Sequence, residues 1–146
     1  MASELSLKRR GPRAFLDTNV LVYSDDPRYP VKQLAALNLI KVHLRQRTGA
    51  VSIQVLQEYF VSATGKLKLS AELAKRRVEV FAKFQVAEPT INDVLAAIDL
   101  HRLHGFSLWD ALILRMAAQS GCRVVLSEDL QHDREIDGLK IVNPFL

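Results

Sequence analysis

Four acidic side chains, far apart in the sequence, could together bind a divalent cation if the fold brought them to one place. These residues are Asp17, Glu58, Asp110 and Asp129. A buried carboxylate is costly unless it is paired or bound to a metal, and few basic residues lie near these acids in the sequence. Carboxylate oxygens without histidine or cysteine favour a hard ion such as Mg²⁺ or Mn²⁺. Such an ion lowers the pKa of bound water and neutralises the charge that develops on a phosphodiester, so the four acids indicate a metal site suited to phosphate chemistry.

Each acid also has an ordinary structural interpretation. Asp17 could cap the helix that follows its strand, and Asp110 fits a capping box with Ser107. Glu58 could face solvent on a helix, and Asp129 could be a loop residue. The apolar residues around Glu58 and Asp110 argue against exposure, because they leave little room for a polar helix face. The joint pattern is therefore stronger than any single acid.

Short apolar runs alternate with amphipathic segments along the chain. Pro30 begins one helical segment, Thr90 and Asp93 form a capping box at another, and Gly105 ends that helix. The predicted strands are 14–16, 50–53, 85–88, 124–126 and 141–142, and the predicted helices are 31–47, 54–65, 70–84, 90–105 and 107–121. This alternation predicts an α/β domain with a mostly parallel sheet whose two faces are covered.

The acids occupy the positions where such a sheet binds ligands, outside the carboxyl ends of its strands. Asp17 directly follows the first predicted strand, and Glu58 lies a few residues into the helix after the second. Asp129 follows the strand at 124–126, and Asp110 lies in the first turn of the helix before that strand. We therefore expect one edge of the sheet to collect all four carboxylates.

Helical spacing predicts which apolar side chains share a face. Those expected to turn inward in the helix 70–84 are Leu73, Val80, Phe81 and Phe84. The residues that mark one apolar face of the next helix are Ile91, Val94, Leu95 and Ile98.

The composition fits one ordinary globular domain, since the 146 residues are 49% hydrophobic and 25% charged. The single cysteine, Cys122, excludes a disulfide framework and a zinc site built from cysteines. No apolar run approaches the ~20 residues of a membrane span, and the polar N-terminus has no signal core. We expect a cytoplasmic protein without membrane contact.

Most of the positive charge lies at one end of the chain. The formal net charge is +4, and residues 1–13 hold four basic residues against the single acid Glu4. We predict that residues 1–13 form a basic, flexible leader and that residues 14–146 form a single domain. Because that domain is nearly neutral, the net charge alone is weak support for nucleic-acid binding.

Four segments around the acids resemble the PIN-domain family. They are FLDTNVLVY (15–23), SIQVLQEYF (52–60), SLWDALIL (107–114) and LSEDL (126–130), and they follow the family's order over nearly the whole chain. One Asp-Thr-Asn is a weak signal, whereas four acids in matching local frames are a specific one. Within the family, the compact length and the closing IVNPF (141–145) are most similar to VapC-type toxins of type II toxin–antitoxin modules.

The resemblance implies a three-layer α/β/α fold and an Mg²⁺- or Mn²⁺-dependent endoribonuclease. The four acids would form the catalytic metal site, with Glu58 ligating the metal or positioning the attacking water. Asn19 would orient Asp17 or the substrate, and Ser127 would hold a metal-bound water or a carboxylate. Asp133 adds a further acid for which the resemblance implies no role.

Partners also follow from the resemblance. Such toxins are usually homodimers, and a small cognate antitoxin neutralises them with a C-terminal segment that lies along the active-site groove. The implied substrate is RNA, and a structured RNA such as transfer or ribosomal RNA fits the family. Among other side chains, Tyr59, Phe60 and Trp109 could stack a nucleobase, although such residues more often pack in a core. The basic run 75–77 could contact RNA phosphates or simply form a solvated helix face.

Two other classes of function stay open at this point. One is a non-catalytic RNA-binding or interaction module on a PIN fold, although a retired site would have no reason to keep buried charge. The other is an acid-pocket phosphatase or receiver domain. The phosphatase motif needs Asp-x-Asp, whereas Asn19 follows Thr18 here, and both groups use a lysine late in the sheet where this chain has Ser-Glu-Asp.

Overall fold

The computed structural model describes residues 11–146. Most of the predicted basic leader, residues 1–10, lies outside this range, so the leader's flexibility stays a prediction. Arg13, the last residue of that leader, donates from Nε to the Ser120 carbonyl (3.2 Å). The Arg13 carbonyl accepts from the Arg123 amide (3.0 Å), so the chain joins the fold at Arg13.

Six strands and six helices follow one another along the described chain, and they include the five predicted strands and the five predicted helices. The short helix after the first strand and the two-residue strand before the last one were not predicted. The strands are β1 (Ala14–Leu16), β2 (Gly49–Ser52), β3 (Gln85–Ala87), β4 (Val124–Leu126), β5 (Glu135–Ile136) and β6 (Leu139–Val142). The helices are α1 (Thr18–Tyr23), α2 (Pro30–Gln46), α3 (Ile53–Gly65), α4 (Ala71–Phe81), α5 (Ile91–His104) and α6 (Leu108–Gln119). No helix within residues 11–146 is long and apolar enough to cross a membrane.

The strands form one sheet in the order β3-β2-β1-β4-β6-β5. All neighbouring strands in it pair in parallel except β5 and β6. The central strand is β1, in which Ala14 pairs with both Gly49 of β2 and Val124 of β4. The carboxyl ends of these three strands therefore meet at one edge, and the predicted α/β class with a mostly parallel sheet is confirmed.

Helices cover both faces of the sheet, as the continuous burial of β1 and β2 requires. Helix α6 packs across β2, β4 and β6, and α5 packs on α6. Helix α1 packs on α2 and α3, and α4 packs on α3. This is the three-layer α/β/α arrangement that the resemblance implied.

Hydroxyl side chains fix where the helices begin. Ser52, Ser70 and Ser107 accept from backbone amides at the starts of α3, α4 and α6. Thr90 and Asp93 form the predicted capping box at the start of α5. These caps satisfy amides that lack a partner within the helix, and they set the helix entries next to the strand ends.

The predictions for the fourth helix and for the last strands are partly wrong. Phe81 and Phe84 are buried as predicted, but Leu73 and Val80 are 37% and 36% exposed, because α4 packs chiefly on α3 at the margin of the fold. The two-residue strand β5 was not predicted, since so short a segment carries no alternating pattern.

The apolar face predicted for α5 exists, but it faces solvent. Ile91 and Leu95 are 70% and 54% exposed. The side of α5 that packs against the fold instead carries Ala97 and Asp93, and the Asp93 carboxylate pairs with Arg115 of α6 at 2.9 Å. A small side chain and an ion pair, rather than the apolar stripe, therefore join α5 to α6.

Candidate active site

The fold brings the four predicted acids to the carboxyl edge of the sheet. Asp17 directly follows β1, Asp129 lies just beyond β4, and Glu58 lies in the second turn of α3 after β2. Asp110 lies in the first turn of α6. Their charges act on one another, because Glu58 and Asp129 raise the pKa of both Asp17 and Asp110. Four carboxylates that the sequence separates thus form one acidic centre.

Asp17 is the buried member of this centre, with 7% of the residue exposed. Its Oδ1 accepts from the Thr18 amide and its Oδ2 from the Ser127 hydroxyl, each at 2.7 Å. Burial raises the pKa of Asp17 to about 6, although the hydrogen bonds from Ser127 and Thr18 oppose that rise and the charges of Glu58 and Asp129 add to it. Asp17 therefore caps α1, as its ordinary interpretation required, and its charged carboxylate is unfavourable in this buried position.

Asn19 joins the loop after β1 to the loop after β4. Its Nδ2 donates to the Ser127 hydroxyl (3.2 Å) and to Asp129 Oδ2 (3.1 Å), and lies 3.4 Å from Asp17 Oδ2. Its Oδ1 accepts from the Glu128 amide (3.1 Å). The side chain is thus placed where it can orient carboxylates from both loops, which is the position that the resemblance implied for it.

Ser127 is fully buried, and its hydroxyl makes contacts in two directions. It donates to Asp17 and accepts from the Asp129 amide at 3.2 Å and the Leu130 amide at 3.4 Å. Because these amides occupy its acceptor side, the hydroxyl proton points to Asp17. Ser127 therefore holds a carboxylate, one of the two contacts predicted for it.

Glu58 is half-buried, and both of its carboxylate oxygens are already held. Oε2 accepts from the Thr18 hydroxyl and Oε1 from Gln54 Nε2, each at 2.7 Å. Sequence reasoning missed Thr18 and Gln54 as members of the site. Gln54 could have been found, because it lies four residues before Glu58, one turn away on the same helix face.

Asp110 and Asp129 complete the centre from its more open sides. The Asp110 amide donates to the Ser107 hydroxyl (3.1 Å), which is one half of the predicted capping box, and the Asp110 carboxylate also belongs to the acidic centre. Burial raises the pKa of Asp110, and the charges of Asp129 and Glu58 raise it further. Asp129 is exposed, and its contact with Asn19 ties it to the buried part of the site.

A nearby lysine is engaged elsewhere. Lys32 pairs with Glu128 (2.8 Å) rather than with any of the four acids, and its ammonium lies 4.9 Å from the centre of the Tyr23 ring and 5.9 Å from that of Phe145. The hydrogen bond to Glu128 and the tyrosine hydroxyl raise the pKa of Lys32. Lys32 thus lies beside the acidic centre but is held by Glu128 and by the aromatic rings.

A cleft of about 540 Å³ opens beside the acids and could admit a substrate. Its polar lining includes Thr18, Asn19, Glu58, Asp129, Tyr23 and Lys66. Asp17 and Asp110 do not line it, so the cleft approaches the acidic centre from the side of α1 and α3.

The acidic centre fits a hard divalent cation by its donor chemistry. Within residues 11–146, no three acidic, histidine or cysteine side chains are grouped closely enough to ligate an ion as they stand. However, burial and the neighbouring acids raise the pKa values of Asp17 and Asp110, so the charged forms of both carboxyl groups are unfavourable here. Two buried oxygens next to the centre, Gln54 Oε1 and Glu128 Oε2, also have no hydrogen-bond donor. A cation that drew the carboxylates together would relieve this excess of negative groups.

Tyr59 and Trp109, which could stack a nucleobase, differ in burial. Tyr59 is fully buried, whereas Trp109 is 63% exposed, so the core interpretation holds for Tyr59 and is wrong for Trp109. In the basic run 75–77, Arg76 pairs with Glu72 and Arg77 with Asp25.

Asp133 lies apart from the acidic centre in a surface turn. It adopts a left-handed conformation (φ 65°), and its carboxylate lies 3.5 Å from Lys140 Nζ and 3.4 Å from His132 Nε2. These contacts give Asp133 a place in the turn between β4 and β6.

Comparisons with known proteins agree with this architecture. The PIN domain family model matches residues 14–135. No curated protein matches the chain. Among solved structures, the chain is similar to Mycobacterium tuberculosis VapC20, described as a sarcin–ricin loop cleaving toxin, with 16% identity and a TM-score of 0.59 over 80% of this chain and 91% of that one.

A second similar structure is VapBC2 from Rickettsia felis, bound to a DNA fragment from its promoter. The identity is 18% and the TM-score is 0.63, over 88% of this chain and 96% of that one. At these identities the likeness to both structures establishes the fold.

Proposed function

The chain belongs to the PIN domain family, and from this premise we propose that it is a metal-dependent endoribonuclease, the toxin of a type II toxin–antitoxin module. One observation carries the proposal. Four carboxylates meet at the carboxyl edge of the sheet, and burial of one of them, Asp17, raises its pKa to about 6, with the charges of Glu58 and Asp129 adding to the rise. A protein keeps such a costly arrangement when a metal and a reaction use it.

Asp17, Glu58, Asp110 and Asp129 would hold Mg²⁺ or Mn²⁺ in this proposal. The ion, when bound, would supply an activated water and neutralise the charge that develops on the phosphodiester. Ser127 and Asn19 orient Asp17, and Asn19 also fixes Asp129.

Glu58 positions the attacking water in the proposed reaction. Its two oxygens are held from opposite sides by Thr18 and Gln54, so the carboxylate has one orientation before substrate arrives. A group fixed in this way loses little freedom in the transition state, which favours catalysis. Hydrogen bonds within the protein therefore fix the orientation of both the Glu58 and the Asp17 carboxylates.

The proposed substrate is a structured RNA, such as transfer or ribosomal RNA, in the cytoplasm. Support comes from the fold shared with VapC20, itself described as cleaving the sarcin–ricin loop. The cleft of about 540 Å³ also contains Lys66 and Tyr23, which suit a phosphate and a sugar or base.

We further propose that the protein forms a homodimer and binds a small antitoxin. An apolar groove of about 640 Å³ lies between α3 and α4, on the helix that carries Glu58. It is lined by Ile53, Leu56, Phe60, Val61, Ala71 and Val78, with Gln57 and Lys75 at its sides. An amphipathic segment of an antitoxin could occupy this groove and continue over the acidic centre.

The first experiment incubates the purified protein with total bacterial RNA in Mg²⁺, Mn²⁺ or EDTA and sequences the new RNA ends. We expect discrete ends that require metal and disappear with Asp17→Asn. Cleavage that persists in Asp17→Asn would contradict the assigned site. Saturable RNA binding without cleavage, in protein shown to bind metal, would instead support the non-catalytic RNA-binding module.

A phosphomonoester assay distinguishes the proposed nuclease from an acid-pocket phosphatase. An acid-pocket phosphatase would release phosphate from p-nitrophenyl phosphate in the presence of Mg²⁺, and the proposed nuclease would not. Release that depends on Asp17 would overturn the proposal.

A further inference from the structure

The one tryptophan of the chain, Trp109, is 63% exposed at the start of α6, directly before Asp110. A single exposed apolar side chain is ordinary on a protein surface, and the feature that distinguishes Trp109 is its position directly before Asp110. The residues that follow on α6, including Ala111 and Leu112, are buried in the core. The indole is therefore presented to solvent from a firmly packed helix.

We propose that Trp109 forms a nucleobase-stacking subsite beside the acidic centre, and this inference rests on the proposed ribonuclease function. The ligand is an unpaired base next to the phosphodiester that is cleaved. Every base has a π-face, so an indole can bind it without a specific hydrogen-bond pattern. The subsite would thus select for an unpaired nucleotide and only weakly for its identity.

Two connections place Trp109 next to the acids. It precedes Asp110 in the sequence, so the two residues share the first turn of α6. In addition, Gln54 Nε2 donates to Glu58 Oε1 (2.7 Å) and lies 3.4 Å from the Trp109 carbonyl. One amide group thus links the backbone that carries the indole to the carboxylate proposed to position the water.

Through its two carboxylate oxygens, Glu58 links the cleft to the first turn of α6, which carries Trp109. Glu58 Oε2 contacts Thr18, which lines the cleft, whereas Oε1 contacts Gln54 on the side of Trp109. Neither Gln54 nor Trp109 lines the cleft itself. An RNA strand that occupies the cleft and crosses the acids would therefore arrive at the indole.

Trp109 differs in its surroundings from Tyr59, the other aromatic residue considered for base stacking. Tyr59 is fully buried and packs edge-on against Phe81, and its hydroxyl donates to Asp25 (2.6 Å). Its function is structural. Trp109 combines exposure with a position at the acids, which Tyr59 lacks.

Fluorescence tests the subsite directly, because Trp109 is the only tryptophan and its emission reports on its own surroundings. The Asp17→Asn variant, which we expect not to cleave, is titrated with an eight-nucleotide oligoadenylate in Mg²⁺. A matched oligomer with abasic sugars carries the same backbone charge. We expect saturable quenching by the oligoadenylate and little by the abasic oligomer. Equal quenching by both, or none by either, would overturn the proposal.

Kinetics with Trp109→Ala and Trp109→Phe provide a second test, and both variants are expected to fold because the side chain is exposed. We expect Trp109→Ala to raise KM for RNA about tenfold with kcat within about twofold, and Trp109→Phe to restore most of the affinity. Unchanged KM in Trp109→Ala would contradict the subsite, as would a defect confined to antitoxin binding.

The two proposals fail in different ways. If the wild-type protein cleaves RNA through Asp17 while Trp109→Ala and the quenching show no effect, the ribonuclease stands and the subsite is wrong. If no RNA is cleaved, the ribonuclease fails, and the fluorescence titration still decides whether Trp109 stacks a base.

Discussion

Asp17 and Asp93 are both almost fully buried, with 7% and 5% of the residue exposed, yet their carboxyl groups behave in opposite ways. The pKa of Asp17 is raised to about 6, whereas that of Asp93 is lowered to about 2. Burial alone therefore does not distinguish a structural acid from a functional one.

The partners explain the difference. Asp93 accepts from the Thr90 amide (2.8 Å), which is the largest cause of its lowered pKa, and also from Arg115 and Gln119. Asp17 also accepts hydrogen bonds, but no cationic side chain of residues 11–146 pairs with it, and the charges of Glu58 and Asp129 raise its pKa. A buried acid without a cation partner is the one that awaits a ligand.

The largest expected contrast is in activity. Asp17→Asn should lower the rate of RNA cleavage roughly 100-fold or more, because it removes a proposed metal ligand. Asp93→Asn removes an acid of similar burial that lies outside the acidic centre. The folded fraction of this variant should therefore cleave RNA at close to the wild-type rate. Initial rates on one RNA, normalised to folded protein by circular dichroism, provide the measurement. Equal losses of activity in both variants would contradict the distinction between a functional Asp17 and a structural Asp93.

The same pair should shift stability in opposite directions. Without divalent ions at pH 7.5, Asp17→Asn should raise the free energy of unfolding by about 1–3 kcal/mol, because an ionised Asp17 is unfavourable in the folded state. Asp93→Asn should lower it, since Arg115 loses its partner and the capping box loses an acceptor. Urea unfolding in EDTA measures both. A lowered stability for Asp17→Asn would mean that the carboxylate is already compensated.

The pH dependence sharpens this contrast. Asp17 binds its proton more tightly in the folded state than at its ordinary value of 3.8, so the free energy of unfolding should fall as the pH rises from about 4 to 6. This fall should be absent in Asp17→Asn. Asp93 has the opposite sign, and its stabilisation should be lost only as the pH falls below about 4. Unfolding curves for the wild type and both variants between pH 3 and 7.5 would reveal the two windows.

The smallest expected effect is that of added metal. Millimolar Mg²⁺ or Mn²⁺ should raise the Tm of the wild-type protein by about 2–4 °C, because a cation at the acidic centre offsets repulsion among like charges. Asp93→Asn should show the same shift and Asp17→Asn a smaller one. Differential scanning fluorimetry with Ca²⁺ and Na⁺ at matched ionic strength separates specific binding from screening. No shift in the wild type would argue against a site formed before the substrate binds.

The sequence predicted where the acids meet because parallel strands constrain their ends. Because 14–16 and 124–126 are predicted as parallel strands, Asp17 and Asp129 must lie at the same edge. The capping box of Thr90 and Asp93 was equally local and was confirmed. Patterns within a few residues, combined with one rule of sheet topology, were sufficient for these features.

Contacts between residues far apart in the sequence could not be predicted from such local patterns. The hydrogen bond from Thr18 to Glu58 spans 40 residues, and nothing in either segment indicates the other. The side of α5 that carries the ion pair of Asp93 with Arg115 is buried, whereas Ile91 on the predicted apolar face is exposed. Periodicity identifies the apolar side of a helix, whereas the contacts of a neighbouring helix decide which side is buried.

The hydrogen bond between Asp17 and Ser127, 110 residues apart, also determines when the site can exist during synthesis. A ribosome adds roughly 5–20 residues per second, so the Asp17 segment waits about 5–20 seconds for the strand and loop that complete its surroundings. Until β4 inserts beside β1, the growing polypeptide has no assembled acidic centre. Prematurely terminated products that lack β4 should therefore lack the proposed ribonuclease activity.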